Sequence, residues 1–329
     1  MKNKKNAKKI LIIKFGAIGD IVHTSVIASA IKKSYPDCEV HFLTTQHFKN
    51  FVELHPHIDK VQVWDTTFKK SKKYFFKRIY ELSRERYDVV FNLTRSLKHY
   101  LISYLMFPKR VANKISLKGY SWVEEYFYNA KRYFKDIELP ERLFWGIDEN
   151  FISKIRTDLS PYTRPFIVIS PGGEADNNRQ GRTWGLDNWN KLIEQLKSFG
   201  GTVFVIGANS EKNYHSLLKG AKIFTGEYSL TQTCTFLAES DLVISGDSGP
   251  AHISAALGVK TLALLGSTSV DKIKPFGYNG WAVSSPNQCN SCWKKKCKFF
   301  DKGHNGVAPC MDAISPDLVI KTIKENNLL

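Results

Sequence analysis

The sequence predicts an α/β protein of two doubly wound domains that face each other across a cleft, and three observations support this. Short apolar runs of strand character alternate with stretches whose apolar residues recur at helical spacing, which is typical of parallel sheets covered by helices on both faces. The alternation stops around residues 140–165, where three prolines stand close together, and then resumes. A chain of 329 residues is also long enough for two cores. We therefore predict domains 1–160 and 161–329.

The first predicted domain opens with a buried strand, KILIIKF, which a GAIGD turn joins to the helix IVHTSVIASAIKKSYPD. Further strands are predicted at CEVHFLTT, KVQVW and DVVFNLT. A basic helix, KKYFFKRIYELSRERY, stands between the last two. This helix interleaves aromatic residues with cations as a membrane-surface helix does, but a helix with Phe75, Ile79 and Leu82 in the core and its lysines in water fits equally well.

The second predicted domain repeats the alternation. Strands are expected at PFIVISPG, GTVFVIG, DLVIS and VKTLALLG. Helices are expected at TWGLDNWNKLIEQLKSFG, SEKNYHSLLKG, SLTQTCTFLAES and DSGPAHISAALG.

Composition and charge narrow the class of protein. Hydrophobic residues make up 43% of the chain, which is typical of a folded globular protein, and the apolar segment at the N-terminus is too short for a signal peptide, so we expect a cytosolic location. The formal net charge is +17, and residues 1–160 carry 30 Lys and Arg against 17 Asp and Glu. Such a field attracts nucleic acid, an anionic membrane or a phosphorylated substrate, although a solvated basic surface is an equal alternative. No nucleic-acid-binding motif accompanies the charge, so we expect no nucleic-acid partner.

The loop after the first strand carries candidate catalytic residues. In KFGAIGDIVHT, Gly16 and Gly19 give a flexible turn, Lys14 ends the strand and Asp20 opens the helix. An Asp at this position is usually an N-cap. The alternative is a carboxylate in the cleft that takes a proton from an attacking hydroxyl. His23, one turn further, is either a cleft residue or a buried core histidine.

The stretch GDSGPAHISAALG follows a buried strand and opens a helix. Asp247 or Ser248 can cap it, Gly249 permits close backbone approach, Pro250 suits the first turn, and His252 follows. Ligands of open α/β sheets bind at such strand ends, where unpaired N–H groups and the helix dipole favour a phosphate. An ordinary N-cap without a ligand is the alternative.

A long polar loop, SPGGEADNNRQGRTW, follows the first strand of the second domain. It ends near Arg182, which can clamp a phosphate with two hydrogen bonds or be a solvated arginine. Neither a Walker motif nor a G-x-G-x-x-G stands in a βα turn, which argues against a P-loop protein or a dinucleotide-dependent dehydrogenase.

Four of the six cysteines crowd together near the C-terminus as a cysteine-rich knuckle at residues 289–310. The spacing of Cys289, Cys292, Cys297 and Cys310 is that of metal ligands, and it favours structural zinc or iron, with His304 as a substitute for one thiolate. Reduced thiols and disulfides remain alternatives, the latter disfavoured in the cytosol. Cys38 and Cys234 are expected in the core.

The order of these motifs, from ILIIKFGAIGDIVHTSVIASAIKKSYP through VISPGG, RTWGLDNWNKLIEQL and VIGANSEK to LVISGDSGPAHISAALGVKTLALLGST, resembles the heptosyltransferases of glycosyltransferase family 9. The resemblance spans nearly the whole chain. It implies a GT-B fold of two Rossmann-like domains, with the acceptor on the first, the nucleotide sugar on the second, and an inverting displacement at the anomeric carbon.

The resemblance also implies roles for residues. Asp20 matches the proposed general base, with Lys14 and His23 as its neighbours in the acceptor cleft. Ser248 and Gly249 match positions that bind the diphosphate.

Further donor contacts follow from the same resemblance. Asp247 is close to the sugar, and His252 belongs to the same motif. Arg182 stands where many members have a phosphate-binding lysine, a departure that keeps the charge and changes the geometry. Asn209 or Glu211, after the strand GTVFVIG, reaches the ribose.

The implied activity is transfer of heptose from ADP-heptose to a phosphorylated acceptor of the Kdo-lipid A type in inner-core lipopolysaccharide, at the inner face of the inner membrane. No cofactor is required for this chemistry, although some related protein heptosyltransferases bind iron at a similar cysteine-rich segment. One alternative is a protein heptosyltransferase that modifies an autotransporter, whose additional N-terminal domain has no room in this length. Another is a sugar-nucleotide-binding protein without catalysis, against which the retention of Asp20 together with Asp247, Ser248 and Gly249 argues.

Overall fold

The computed structural model describes residues 9–65, 71–94, 96–173, 180–286, 291–294, 296–300 and 306–329. The chain divides into two compact units, residues 1–146 and 147–329. Each unit contains one parallel β-sheet, as the sequence predicts. None of the helices in these described ranges is both long enough and apolar enough to cross a bilayer.

The boundary lies between Gly146 and Ile147, inside the irregular stretch 140–165 but ahead of the predicted boundary at residue 160. The helix Ile152–Leu159 accounts for the difference, because it buries Ile155 and Leu159 within the second unit. Its Asp158 carboxylate also accepts a hydrogen bond from Tyr228 of that unit. A proline-rich stretch indicates a boundary region, but it does not show to which core a helix inside that region belongs.

Unit 1 is built on a five-stranded sheet. Its strands are β1 (Lys9–Ile13), β2 (Glu39–Thr44), β3 (Lys60–Val63), β4 (Val89–Asn92) and β5 (Arg110–Asn113). Its helices are α1 (Ile18–Thr24), α2 (Val26–Ser34), α3 (Lys49–Glu53), α4 (Lys72–Arg84), α5 (Leu97–Leu105) and α6 (Trp122–Lys131). The strand order is β3-β2-β1-β4-β5, so β1 lies at the centre and its apolar residues are completely buried, as expected for a strand covered on both faces.

The first predicted helix is in fact two helices. Ser25 separates α1 from α2, and both its backbone N–H and its hydroxyl bond to the carbonyl of Val22. These two bonds end α1 locally, and the chain enters α2 at the next residue.

A network of charged side chains joins the amino ends of the first three strands of unit 1. The Glu85 carboxylate accepts hydrogen bonds from Lys9 at 3.0 Å and from Lys60 at 2.7 Å. Glu39 pairs with Lys9 and lies 2.6 Å from Nε2 of the buried His41. Burial acts to raise the pKa of Glu85, but the bonds from the two lysines outweigh it and lower this pKa to about 2. Burial lowers the pKa of His41, although Glu39 acts in the opposite direction.

Unit 2 is built on a six-stranded sheet. Its strands are β6 (Phe166–Ser170), β7 (Thr202–Val205), β8 (Lys222–Ile223), β9 (Leu242–Gly246), β10 (Lys260–Leu265) and β11 (Gly280–Ser284). Its helices are α7 (Ile152–Leu159), α8 (Leu186–Leu196), α9 (Lys212–His215), α10 (Leu230–Ala238), α11 (Gly249–Leu257), α12 (Val270–Ile273), α13 (Pro309–Asp312) and α14 (Pro316–Glu325). The strand order is β11-β10-β9-β6-β7-β8.

Most predicted elements of unit 2 are confirmed, with one clear exception. The helix expected over SEKNYHSLLKG is reduced to the single turn α9, because His215 and Leu218 are the buried side chains of that segment and two are too few to stabilise a longer helix. Cys38 and Cys234 are both in the core, as predicted, and burial raises the pKa of the Cys38 thiol to about 12.

Two tryptophans fix the chain that leads into α8. Trp184 and Trp189 are completely buried and meet edge to face at 4.8 Å. The Trp184 indole N–H donates to the carbonyl of Ile314 at 2.7 Å. The backbone just after Arg182 is therefore anchored in the core of unit 2.

Candidate functional site

Unit 1 contains a cavity of about 600 Å³ at the carboxyl ends of β1, β4 and β5. This is the edge of the sheet where parallel α/β folds bind their ligands. The cavity is lined by Lys14, Phe15, Gly16, Asp20, Leu93, Thr94, Ser96, His99, Lys114, Trp122 and Tyr126.

Asp20 is placed in this cavity by an unusual backbone. Helix α1 begins at Ile18, so Asp20 lies in its first turn and Ala17 is the N-cap residue. Ala17 has φ 51° and ψ 124°, a conformation that costs energy for a residue with a Cβ atom. No side-chain hydrogen bond caps the helix. The Asp20 carboxylate instead pairs with Lys14, whose Nζ lies 2.9 Å from Asp20 Oδ2.

A second lysine reaches the same cavity. Lys114 follows β5, and its ammonium lies 4.6 Å from the ring centre of Tyr126 and 5.7 Å from that of Trp122. Lys14 and Lys114 both donate to the Tyr126 hydroxyl, at 3.4 and 3.3 Å. Lys114 also lies 3.8 Å from the buried Glu125 carboxylate. The cavity thus contains two cations that share one phenol oxygen, beside a half-buried carboxylate.

The histidines of this region have different positions. His23 is buried and packs edge to face on Trp122, and it is not among the residues that line the cavity. His99, on α5, does line the cavity; it bonds to Thr94 at 3.1 Å and stacks at a tilt on Phe15. The sequence singled out the first of these and missed the second.

The phosphate cradle predicted in unit 2 has the expected backbone. Ser248 is the N-cap of α11 in an extended conformation, and its side chain makes no capping bond. Its hydroxyl bonds instead to the buried Ser245 hydroxyl at 2.8 Å. Gly249 and Pro250 begin the helix, and a helix start of this kind favours an anion.

An ion pair stands beside this helix end. Arg182 Nε lies 3.1 Å from Asp247 Oδ2, and the Asp247 side chain is only 10% exposed. The predicted phosphate ligand and the residue predicted to lie near the sugar are therefore in direct contact. An arginine that uses Nε in this way keeps both terminal nitrogens for a further acid group.

The other predicted donor residues lie on the same sheet edge. Asn209 and Glu211 form a short turn after β7, and the Glu211 carboxylate accepts the N–H of Ala208 at 2.9 Å. Asn209 packs against Gly226, where a Cβ would come within 2.9 Å of its Oδ1. His252 is buried within α11.

The structure describes three of the four clustered cysteines. Cys292 is exposed, Cys297 packs against the core of unit 2, and Cys310 is buried in that core. Cys289 and His304 lie outside the described residues, as do residues 174–179 of the loop before Arg182. Within the described ranges no three His, Cys, Asp or Glu side chains are placed to hold a metal ion. The metal site stays a prediction.

The chain is similar to members of a known protein family. The model of glycosyltransferase family 9 (heptosyltransferase) matches residues 102–302. Lipopolysaccharide heptosyltransferase 1 of Campylobacter coli is 25% identical over 355 aligned positions, which cover 96% of this chain and 98% of that protein.

Two solved structures share the fold at low sequence identity. The family 9 glycosyl transferase of Veillonella parvula has a TM-score of 0.78 at 17% identity and covers 98% of this chain and 97% of its own. The ADP-heptose lps heptosyltransferase II of E. coli has a TM-score of 0.75 at 19% identity. The match covers 97% of this chain and 98% of that one. These likenesses confirm the predicted GT-B class of fold.

Proposed function

Because the chain belongs to glycosyltransferase family 9, the heptosyltransferases, we propose that it transfers heptose from ADP-heptose to an inner-core lipopolysaccharide acceptor, with inversion at the anomeric carbon. The observation that carries the proposal is the Asp20–Lys14 pair in a cavity large enough for a sugar. A named relative that acts on lipopolysaccharide and a similar structure named for ADP-heptose support the choice of substrates.

In the proposed reaction Asp20 is the general base. Lys14 contacts Oδ2, which orients the carboxylate, and we assign Oδ1 to the acceptor hydroxyl. As this hydroxyl oxygen bonds to the anomeric carbon, its proton passes to Asp20. The bond from the anomeric carbon to the diphosphate breaks at the same time, and ADP leaves with the electron pair. Attack from the side opposite to ADP inverts the configuration.

The departing ADP needs positive charge, and unit 2 supplies it. The N–H groups of Ser248 and Gly249 at the start of α11 and the terminal nitrogens of Arg182 are the proposed diphosphate ligands. Asp247 holds the Arg182 guanidinium in place and is proposed to lie beside the heptose. His252, which follows in α11, belongs to the same proposed donor site. Charge stabilisation from these groups does not require a divalent ion.

Asn209 is the better supported ribose ligand of the two that the sequence offered. The Glu211 carboxylate holds the Ala208 N–H, so it is engaged in shaping the turn. Asn209 lies in the same turn after β7, with an amide that can both donate and accept.

We further propose a structural zinc or iron at the four clustered cysteines. The spacing of the four cysteines along the chain supports this proposal, and Cys297 and Cys310 both pack on the core of unit 2. Metal analysis of the purified protein tests this: one equivalent of metal, lost in a Cys292→Ser variant, supports the site.

The proposed acceptor is phosphorylated and lipid-linked, and this assigns the protein to the cytoplasmic face of an anionic inner membrane. The excess of Lys and Arg in the first 160 residues supports this placement.

Calorimetric binding tests the donor. We expect ADP-heptose to bind more tightly than ADP, ADP-glucose, UDP-glucose and GDP-mannose. Tightest binding of a uridine or guanosine sugar would contradict the substrate and leave the family unchanged.

A second assay tests the reaction. Purified protein, ADP-heptose and a lipid-free Kdo acceptor are expected to give a product whose anomeric configuration, read by NMR, is opposite to that of the donor. Retention would contradict the mechanism, and transfer to a serine peptide in preference to Kdo would favour the protein-modifying alternative.

A further inference from the structure

Helix α5 presents an apolar face to solvent. Leu97, Leu101 and Tyr104 lie on one face at spacings of four and three, and all three are exposed. Phe107, just after the helix, is 83% exposed. We call these four residues the α5 face. The opposite side of the helix is also apolar, since Ile102 is buried in the core of unit 1.

Single exposed apolar residues need no explanation, but this group differs from them. Leu97 is 87% exposed, and the helix sequence LKHYLISYL contains no acidic residue. Phe107 also has φ 50°, a backbone conformation that costs energy for a bulky side chain. A strained backbone that holds a large apolar side chain in water indicates a surface that is covered by something else.

The chain segment that contains α4 and the α5 face has an excess of positively charged residues. Residues 72–110 contain ten Lys or Arg and three Asp or Glu. Each of the three acids is already paired: Glu81 with Arg78, Glu85 with Lys60, and Asp88 with Lys109. The remaining positive charge is therefore not balanced within this segment.

The neighbouring helix repeats the same combination. Helix α4 packs on α5 and turns Ile79 and Leu82 into the core. Its outward residues include Phe76 and Tyr80, together with the exposed lysines of its first two turns. Apolar side chains beside cations, on two adjacent helices, match an anionic bilayer, where the apolar groups enter the acyl boundary and the cations meet phosphates.

We propose that the α5 face inserts into the surface of an anionic lipid bilayer, with the α4 lysines on the lipid headgroups. Nucleic acid would match the charge but would leave the leucines in water. A protein groove would match the leucines but would not account for the unbalanced charge. The bilayer satisfies both.

Docking on this surface would also place the cavity of unit 1 beside the membrane. The N-cap residue of α5, Ser96, and His99 in its first turn line the cavity, while Leu97 and Leu101 of the same helix face outward. That the docked cavity then receives a lipid-linked acceptor rests on the proposed function. The insertion itself does not.

Vesicle binding of the whole chain tests the inference. We expect the protein to sediment with phosphatidylglycerol–phosphatidylethanolamine vesicles and only weakly with phosphatidylcholine. The double variant Leu101→Ser/Phe107→Ser should bind these vesicles at least about tenfold more weakly, since two large apolar side chains can no longer be buried in the bilayer. The matched control is Leu217→Ser/Tyr278→Ser, at residues of unit 2 that are 55% and 68% exposed, and it should bind as the unchanged protein does.

A spectroscopic test reads the depth of insertion. In a Phe107→Trp variant, brominated lipids in the vesicles should quench the fluorescence of the new tryptophan. In a Tyr278→Trp variant they should not. Equal loss of binding in both double variants, no quenching at residue 107, or no vesicle binding at all would overturn the proposal. So would displacement of the vesicles by RNA, or a dimer that the α5 variant dissociates.

Failure of the proposed function would look different. The Leu101→Ser/Phe107→Ser variant should still glycosylate a soluble, lipid-free acceptor at the normal rate. If no variant transfers heptose but the vesicle results hold, then the activity is wrong and the docking surface is right.

Discussion

The two sheets of this protein carry candidate sites that are built in opposite ways. In unit 1 the candidate site is made by side chains: Lys14 follows β1, Asp20 lies on α1, Lys114 follows β5 and Tyr126 lies on α6, and these side chains contact one another. In unit 2 the centre of the site is made by the backbone at the start of α11, and the side chains there support it. A side-chain site depends on the identity of each member, whereas a backbone site tolerates substitution.

The comparison predicts its largest effect at Asp20. Asp20→Asn keeps the shape and removes the base, so kcat should fall about 10²- to 10⁴-fold. Donor affinity, measured by calorimetry, should stay within about twofold because the proposed donor ligands lie in unit 2. Asp37→Asn, an exposed residue of unit 1, makes the same charge change and should alter neither quantity. Parallel loss of donor binding in Asp20→Asn would remove the distinction between the two sites.

The next effect is expected at Arg182, the proposed diphosphate ligand that acts through a charged side chain. Arg182→Ala should weaken binding of ADP about tenfold, since hydrogen bonds to charged groups contribute about 1.5 to 3 kcal/mol and this side chain is half-exposed. Arg182→Lys should recover part of this loss, because lysine restores the positive charge but not the paired hydrogen bonds of a guanidinium. Arg156→Ala, at an exposed ion pair of the same unit, is the control. Unchanged ADP affinity in Arg182→Ala would exclude Arg182 from the diphosphate site.

A smaller effect is expected at Ser248, because its backbone N–H and not its side chain is the proposed ligand of the diphosphate. Ser248→Ala removes a hydroxyl that bonds to Ser245 and makes no capping bond. ADP affinity measured by calorimetry should fall less than about fivefold, in line with the loss of one neutral hydrogen bond. A hundredfold loss would show that unit 2, like unit 1, depends on its side chains.

The smallest effect concerns the backbone of unit 1. Ala17→Gly should relieve the strain at φ 51° and raise the free energy of unfolding by about 1 kcal/mol, which calorimetric unfolding can measure. Ala28→Gly, in the regular part of α2, should lower it by about the same amount. Destabilisation by both substitutions would mean that Ala17 is not strained.

The candidate residues that the sequence singled out mostly follow directly after a strand, and their roles stay predictions. The connections that follow β1, β6 and β9 lead to Asp20, Arg182 and Ser248, and the glycines and short strands there are local patterns. The strand positions were also largely predictable, because buried parallel strands are continuous apolar runs. The division of the first helix at Ser25 was not, since it depends on two hydrogen bonds to one carbonyl.

The missed residues of unit 1 have a common physical reason. Lys114 and Tyr126 lie about a hundred residues after Lys14 in the sequence. They come near it only because β5 joins the sheet two strands away from β1. The short strand RVAN is polar at its start and was not recognised as a strand. Had it been, the rule that ligands bind at strand ends would have singled out Lys114.

The charged network at the amino ends of β1, β2 and β3 gives unit 1 a two-step response to acid. His41 has a pKa below its usual value of 6.5, so the folded state resists its protonation and loses stability as the pH falls from 6.5 towards that lower pKa. Glu85 contributes stability above pH 4.5 and loses it as the pH falls through about 2. The edge of the sheet opposite to the candidate site therefore contributes to the acid sensitivity of the unit, and it can be altered without a change at Asp20 or Lys14.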